Sequence, residues 1–187
     1  LSAFLHARGI AIYEGTRVLN IEPGKAQTPS ATVHATDIIR ATEGYTKSLR
    51  GEKRSFAPVY SLMVATEPLS ANVCAEIGLG ERETFSDYRN LVIYGQRTAD
   101  NRIAFGGRGA PYHFNSRISA DQDTNESVHT ELRATLTQMF PVLKNATFTH
   151  AWGGPLGIAR DWWASCKYDP TTGIGSSGGY VGDGLGT

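Results

Sequence analysis

Cysteine is scarce in this chain of 187 residues, and long apolar runs and an excess of one charge are missing. Its two cysteines, Cys74 and Cys166, are too few for a disulfide framework. Its apolar stretches stay well short of the roughly 18 residues that cross a bilayer. Lys and Arg together number 18, as do Asp and Glu. This balance argues against nucleic acid and anionic membranes as partners. No segment at the start has the charged, apolar and small-residue order of a signal peptide, so we expect a cytoplasmic protein.

Motifs for metal binding and nucleophilic catalysis are absent as well. The five histidines show neither His-x-x-x-His nor His-x-x-Glu-His spacing, so the sequence predicts no metal site. Cys166 has no histidine partner in a known motif, and neither a Gly-x-Ser-x-Gly segment nor a P-loop is present. The sequence therefore assigns no catalytic residue.

The pattern of apolar residues predicts a chain that mixes helices and strands. Helices are expected at residues 1–8, 70–77 and 123–140. Strands are expected at residues 10–13, 16–21, 56–66, 91–95, 102–106 and 147–152, and around Ile174, and residues 33–42 are expected to form either a pair of strands or one long strand. Asp123 and Glu126 have the spacing of a capping box, and Pro141 ends that helix. Because both ends of the chain fall inside predicted elements, we expect a fragment of a larger protein.

A glycine-rich segment forms the end of the chain, at residues 178–186. Glycines allow a backbone to approach a ligand closely, and a helix that begins near Asp183 would direct free N–H groups at an electron-rich group such as a flavin carbonyl. A glycine-rich surface loop is the alternative, since the spacing alone is a weak signal.

Arginines and aromatic residues supply further candidates for a binding site. An inward-facing arginine holds a carboxylate through two parallel hydrogen bonds, whereas an arginine on a hairpin edge can serve only to keep that edge solvated. The arginines considered are Arg97, Arg102, Arg108 and Arg160. The aromatic residues that could wall a pocket, or pack in a core instead, are Tyr60, Trp152, Trp162, Trp163 and Tyr180.

Several strings of residues, in order along nearly the whole chain, resemble one family. They lie at residues 7–18, 39–46, 94–108, 152–158 and 168–184. Together they are similar to FAD-dependent oxidoreductases of the glycine and D-amino-acid oxidase type, which include sarcosine oxidases and glutamylputrescine oxidoreductase-like proteins. The family's opening strand, Gly-x-Gly-x-x-Gly turn and helix would lie before Leu1.

This resemblance implies three contacts with FAD. The backbone of Val18 would meet the adenine. A turn would close over the phosphate side of FAD, and it comprises Ala41, Thr42 and Gly44. A final loop would lie along the flavin ring, and it comprises Gly178, Gly179, Tyr180, Val181, Gly182, Asp183 and Gly184. Covalently flavinylated sarcosine oxidases carry a cysteine shortly before the stretch that resembles residues 158–161, and no cysteine stands there. Noncovalent FAD is therefore expected.

The resemblance also implies the reaction and the substrate side of the site. Such enzymes take a hydride from the carbon next to an amine nitrogen, the imine hydrolyses, and electrons pass to molecular oxygen or another acceptor. The substrate would be a small amine or amino acid, bound over a sheet that contains residues 56–66 and the following hairpin. The candidate substrate-binding residues are Tyr60, Arg102, Arg108 and Arg160.

The expected fold is α+β, a fragment of a discontinuous two-domain flavoprotein. Residues 1–50 and 153–187 would belong to an α/β-type FAD domain, and residues 51–152 to a substrate domain with a mixed, mainly antiparallel sheet. One alternative is a noncatalytic relic or a binding or structural subunit that keeps the fold. A flavin domain fused to an RNA-modifying methyltransferase is another, which the balanced charge disfavours.

Overall fold

The computed structural model describes residues 2–90, 92–107, 114–182 and 184. The chain divides into two compact units. Unit 1 comprises residues 1–56 and 159–187, and unit 2 comprises residues 57–158. Unit 2 is thus a continuous stretch inserted between the two parts of unit 1, with boundaries somewhat later in the chain than the expected 50/51 and 152/153. The assignment of unit 1 to FAD binding and of unit 2 to substrate binding remains a prediction.

Three α-helices and eleven strands lie in the described residues, with short 3₁₀ helices between them. The α-helices are α1 (Ser2–His6), α2 (Ala71–Ile77) and α3 (Glu126–Met139). The first six strands are β1 (Asn20–Glu22), β2 (Lys25–Gln27), β3 (Thr32–His34), β4 (Ile38–Arg40), β5 (Ala57–Thr66) and β6 (Thr84–Phe85). The last five are β7 (Ile93–Arg97), β8 (Ile103–Gly107), β9 (Phe148–Ile158), β10 (Ser165–Asp169) and β11 (Ile174–Gly178). The 3₁₀ helices are Glu43–Ser48, Phe114–Ser116, Ala120–Gln122 and Pro141–Asn145.

Unit 1 begins with α1 and an antiparallel sheet of order β1-β2-β3. Gly9 follows α1 with a φ of +72°, a left-handed conformation that suits a glycine at the end of a helix. The expected strand at residues 10–13 was wrong. Ile10 and Tyr13 remain 48% and 78% exposed, and this segment pairs with no strand in the described part of the chain. Without a partner, β-branched and aromatic residues do not form a strand.

The second sheet of unit 1 has the order β10-β11-β4. β11 runs antiparallel to β10 and parallel to β4, with Ile174 opposite Ile38 and Ser176 opposite Arg40. A turn at residues 169–173 joins β10 to β11, and the Asp169 carboxylate accepts a hydrogen bond from the Thr171 N–H at 2.9 Å. The parallel pair joins the two sequence-distant parts of unit 1.

Unit 2 is built on an antiparallel sheet of order β6-β7-β8-β5-β9, with α3 packed against it. The predicted β7–β8 hairpin and the long β5 are confirmed. Side chains alternate along β5, so that Tyr60, Leu62 and Val64 enter the core with Leu132 and Leu136 of α3. Each such buried apolar side chain stabilises the fold by about 1.5–3 kcal/mol.

The helix ends in unit 2 follow local signals. The predicted α2 is confirmed, since the Ser70 side chain accepts a hydrogen bond from the Val73 N–H and Gly78 ends the helix with a φ of +81°. The expected start of α3 at Asp123 was wrong. Asn125 is the capping residue, and its side chain accepts from the Val128 N–H at 3.3 Å. No helix among the described residues is both long and apolar enough to cross a membrane.

Candidate functional site

Two of the three segments predicted to contact the cofactor lie at one edge of a sheet in unit 1. β4 and β11 are parallel, so their carboxyl ends meet at the same edge. The chain leaves β4 into residues 41–44 and leaves β11 into residues 179–184. In open sheets of parallel strands, ligands bind beside this carboxyl edge. The fold therefore brings together segments that lie far apart in the sequence.

The turn at residues 41–44 leads directly into the 3₁₀ helix Glu43–Ser48. The hydroxyls of Thr42 and Thr46 are 2.8 Å apart and share a hydrogen bond, and Gly44 and Thr46 are buried. Glu43 has a φ of +42°, in the left-handed region that residues other than glycine seldom adopt. Ala41 remains exposed at the edge.

A side-chain hydrogen bond links this turn to the glycine-rich segment. The backbone N–H of Tyr180 donates to Oε1 of Glu43 at 2.9 Å. The Tyr180 hydroxyl also bonds the Ser177 hydroxyl. The sequence analysis did not single out Glu43, because nothing local relates it to a residue 137 positions away.

The glycine-rich segment follows a path that side chains would obstruct. Gly179, Val181 and Gly182 have φ values of +76°, +56° and +93°. A Cβ atom on Gly179 would lie 2.9 Å from the Phe56 ring and 3.2 Å from the Ala159 side chain. A glycine at position 179 lets the backbone turn in this way and pack directly against Phe56 and Ala159. Asp183, the expected start of a helix, lies outside the described residues.

Val18 lies two residues before β1. It is half-buried, and two backbone hydrogen bonds fix the residue that follows it, Leu19. The Leu19 N–H donates to the Gln27 carbonyl at 2.8 Å, and the Leu19 carbonyl accepts from the Arg50 N–H at 3.4 Å. Val18 is therefore fixed to the antiparallel sheet of unit 1, outside the edge formed by β4 and β11.

A cavity of about 710 Å³ lies within unit 1, and Arg160 is one of the residues that line it. Arg40, Ser176 and Lys167 form a row across its wall, because they stand in register on β4, β11 and β10. The other lining residues are Ser55, Phe56, Ala159, Asp161, Trp163 and Ser165. Among the described residues, Arg160 and Lys167 have no ion-pair partner, so they are available to an anion.

The Arg40 guanidinium in this row is already paired. It forms an ion pair with Glu52, and the Ser55 hydroxyl donates to the same carboxylate. The sequence analysis did not select Arg40 or Lys167. Their position in one row across the sheet is visible only once the register of β4, β11 and β10 is known.

Two of the predicted substrate-binding residues form structural bonds inside unit 2. Tyr60 is 3% exposed, and its hydroxyl lies 3.2 Å from both the backbone N–H and the carbonyl of Ser119. The Arg102 guanidinium donates to the carboxylate of Asp100 at 2.7 Å, the carbonyl of Thr66 at 2.9 Å and the hydroxyl of Thr149 at 2.8 Å. These bonds favour a structural role for both residues. Arg108 lies outside the described residues.

The face of the unit 2 sheet that faces away from α3 carries a row of residues of which the sequence analysis selected only Trp152. Tyr94, Gly106, Met63 and Trp152 stand opposite one another on β7, β8, β5 and β9. The Tyr94 hydroxyl bonds the Ser61 hydroxyl. A Cβ atom on Gly106 would lie 2.7 Å from Met63, so a glycine is needed for Met63 and Tyr94 to lie side by side.

Aromatic residues of unit 1 remain largely on its surface. Trp162 and Trp163 are 63% and 76% exposed, and of the two only Trp163 lines the cavity. The Tyr168 hydroxyl donates to the Asp37 carboxylate, and this hydrogen bond raises the pKa of Tyr168 above its usual value. The bond fastens β10 beside the start of β4. The described residues contain no cluster of three or more metal-ligating side chains.

A parallel pair of strands that ends in a bare, glycine-rich connection is typical of domains that bind a nucleotide cofactor. The chain belongs to the family of FAD-dependent oxidoreductases, since the family model described as DAO, FAD dependent oxidoreductase, matches residues 1–186. The chain is also 34% identical over 182 residues to a probable oxidoreductase, OrdL, of Rhizobium meliloti. That match covers 95% of this chain and 40% of the relative.

Solved structures share the fold at low sequence identity. A glycine oxidase from Bacillus cereus matches with a TM-score of 0.73 and 18% identity, over 98% of this chain and 49% of that one. An L-proline dehydrogenase from P. horikoshii matches with a TM-score of 0.72 and 16% identity, with the same coverage. The predicted family and the α+β flavoprotein fold are confirmed. The chain spans two fifths to one half of the length of these proteins.

Proposed function

We propose that the protein takes part in the oxidation of an amine or amino acid by noncovalently bound FAD. The observation that carries the proposal is the junction at the carboxyl edge of β4 and β11, where the Tyr180 N–H donates to Glu43 at 2.9 Å. This bond holds two segments together that are each suited to a cofactor. The family supplies the identity of that cofactor.

The residues of unit 1 would bind and orient FAD. The turn at Ala41, Thr42 and Gly44 would close over its phosphate side, and the segment at residues 178–184 would lie along its ring, with Val18 near the adenine. FAD, when bound, supplies an acceptor for a hydride. Ser165 and Lys167 of β10 line the cavity. Because side chains alternate along a strand, Cys166 between them lies on the opposite face of the sheet, which supports noncovalent binding of FAD.

In unit 1 the substrate would meet a cationic group. The Arg160 guanidinium, without an ion-pair partner among the described residues, suits a substrate carboxylate. The names of the two similar structures, a glycine oxidase and an L-proline dehydrogenase, each specify an amino acid. Tyr60 and Arg102 are poorer candidates, because their polar atoms are bonded within unit 2.

In the reaction that we propose, the bond between hydrogen and the carbon next to the amine nitrogen breaks, and the hydrogen leaves as a hydride. The nitrogen loses a proton as the carbon–nitrogen double bond forms, and water then hydrolyses the imine. Molecular oxygen or another acceptor takes up the two electrons. No nucleic acid or membrane enters this scheme, and we place the reaction in the cytoplasm.

The test is anaerobic reduction of the flavin by candidate substrates. The protein expressed from the complete reading frame that encodes this chain should bind FAD, and its flavin absorption should bleach on mixing with a suitable amine or amino acid. Release of hydrogen peroxide on admitting oxygen would indicate an oxidase. Bound FAD that no amine or amino acid reduces would refute the proposed reaction.

The control is an Arg160→Gln variant. If Arg160 holds a carboxylate, this variant should raise the KM for amino acids and leave the KM for amines without a carboxylate unchanged. An equal change for both kinds of substrate would show that Arg160 does not recognise the carboxylate.

A further inference from the structure

Glu43 occupies a backbone conformation that disfavours its residue type. Its φ of +42° lies in the region where a glycine meets no steric penalty and other residues do. Left-handed residues at functional sites persist where the surrounding structure holds them in place. A glycine would fit this backbone conformation better, so the Glu43 side chain is expected to make a contact that compensates for the steric cost of its backbone.

The side chain of Glu43 bridges two parts of unit 1. Its Oε1 accepts the Tyr180 N–H at 2.9 Å. The pairing of β11 with β4 ends at Ser176 opposite Arg40, and Gly179 then turns the chain with a φ of +76°, so the Tyr180 N–H lies beyond the paired part of the sheet. The carboxylate supplies the acceptor that this amide requires. A hydrogen bond to a charged acceptor is about twice as strong as one between neutral groups.

We propose that Glu43 is a positioning residue, a latch that sets the path of the glycine-rich segment relative to the turn at residues 41–44. Its effect on FAD rests on the proposed function, whereas the latch itself does not. A glycine at position 43 would relieve the steric strain of the left-handed backbone and remove the hydrogen bond to the Tyr180 N–H. A glutamine would keep an oxygen acceptor of the same reach and lose the charge.

The first test measures hydrogen exchange of the Tyr180 amide in the 187-residue chain without FAD. Loss of a charge-assisted hydrogen bond that is worth about 1.4 kcal/mol corresponds to tenfold faster exchange. Glu43→Gly should therefore accelerate Tyr180 exchange at least about tenfold, and Glu43→Gln should fall between this variant and the parent chain. The Leu62 amide in unit 2 serves as a reference and should not change.

A matched control separates the backbone from the side chain. Arg82 in unit 2 also has a left-handed φ, +60°, and is exposed. Arg82→Gly relieves steric strain of the same kind in a left-handed backbone and leaves the hydrogen bond between Glu43 and Tyr180 intact, so the Tyr180 amide should exchange at the parent rate. Unchanged Tyr180 exchange in Glu43→Gly would overturn the proposal.

The second test measures FAD affinity, from quenching of flavin fluorescence, in the protein expressed from the complete reading frame. Glu43→Gly should weaken binding about tenfold, and Glu43→Gln should recover part of the loss. Faster Tyr180 exchange with unchanged FAD affinity would overturn the cofactor role and leave the latch as a purely structural contact. If the parent protein binds no FAD while Tyr180 exchange responds as expected, the proposed function fails and the latch stands.

Discussion

Gly179→Ala is the substitution whose effect the structure defines most closely. Gly179 is buried with a φ of +76°, and left-handed backbone costs an alanine about 1–2 kcal/mol. The added Cβ would also lie 2.9 Å from the Phe56 ring and 3.2 Å from the Ala159 side chain. Overpacking of this kind costs a further 1–3 kcal/mol, roughly. We expect the free energy of unfolding of unit 1 to fall by about 2–5 kcal/mol.

Gly51→Ala is the matched control in the same unit. Gly51 has a φ of +86° and nothing within 4 Å of the position of an added Cβ, so this variant carries the backbone penalty alone. A urea titration followed through the amide resonances of β11 measures both variants. With a denaturant slope of about 2 kcal/mol per M, Gly179→Ala should unfold at a urea concentration lower by about 1–2.5 M, and Gly51→Ala by about 0.5–1 M.

Equal losses in the two variants would refute the packing argument. A second substitution sharpens the test, because Phe56→Leu removes the ring that the new Cβ would meet. The double variant with Gly179→Ala should lose less stability than the two single variants predict together. Additive losses would show that Phe56 does not press on Gly179.

Three further predictions concern unit 2. Thr66→Val should lower the free energy of unfolding by about 1–3 kcal/mol in urea, because the Ile103 N–H, which donates to the Thr66 hydroxyl at 3.0 Å, would be left buried and unbonded. Leu136→Ala should lower the same quantity by about 2–5 kcal/mol, since Leu136 is fully buried between α3 and the sheet. Arg133→Gln should raise the pKa of Glu126 in an NMR titration, because the Arg133 hydrogen bond holds that pKa below 4.5. The stabilising effect of this ion pair is present above pH 4.5 and is lost as the pH falls through the lowered value, so an unchanged pKa in the variant would contradict the pairing.

Elements with strong local signals could be predicted from the sequence. The serine and glycine at the ends of α2 act within one turn of the helix, and the apolar stripe of α3 follows from helical spacing alone. β10 was missed because Ser165–Asp169 has four exposed residues of five and shows no apolar alternation. Its pairing with β11, and not burial of its side chains, makes it a strand.

Some parts of the candidate site could likewise be predicted from the sequence, and others could not. Its glycine-rich segment was found through resemblance to a family, and the turn at residues 41–44 likewise. Their junction through Glu43 and Tyr180, and the row of Arg40, Ser176 and Lys167, depend on register between distant strands. The order of residues along one chain does not specify which residues of distant strands stand opposite one another. Tyr60 was selected by residue type, whereas its alternation with Ser61 on β5 decides that it enters the core.

The insertion of unit 2 within unit 1 has a consequence for the order in which the chain folds during synthesis. Every strand of the five-stranded sheet has left the ribosome soon after Ile158 is made, and the pairs β6–β7 and β7–β8 are close in sequence. β4 must wait for β11, which is made more than 100 residues later. Nascent chains arrested after β9 has left the ribosome and before β11 has done so would thus contain a complete unit 2 and an unpaired β4 edge. An unpaired edge of this kind binds chaperones and the strands of other chains.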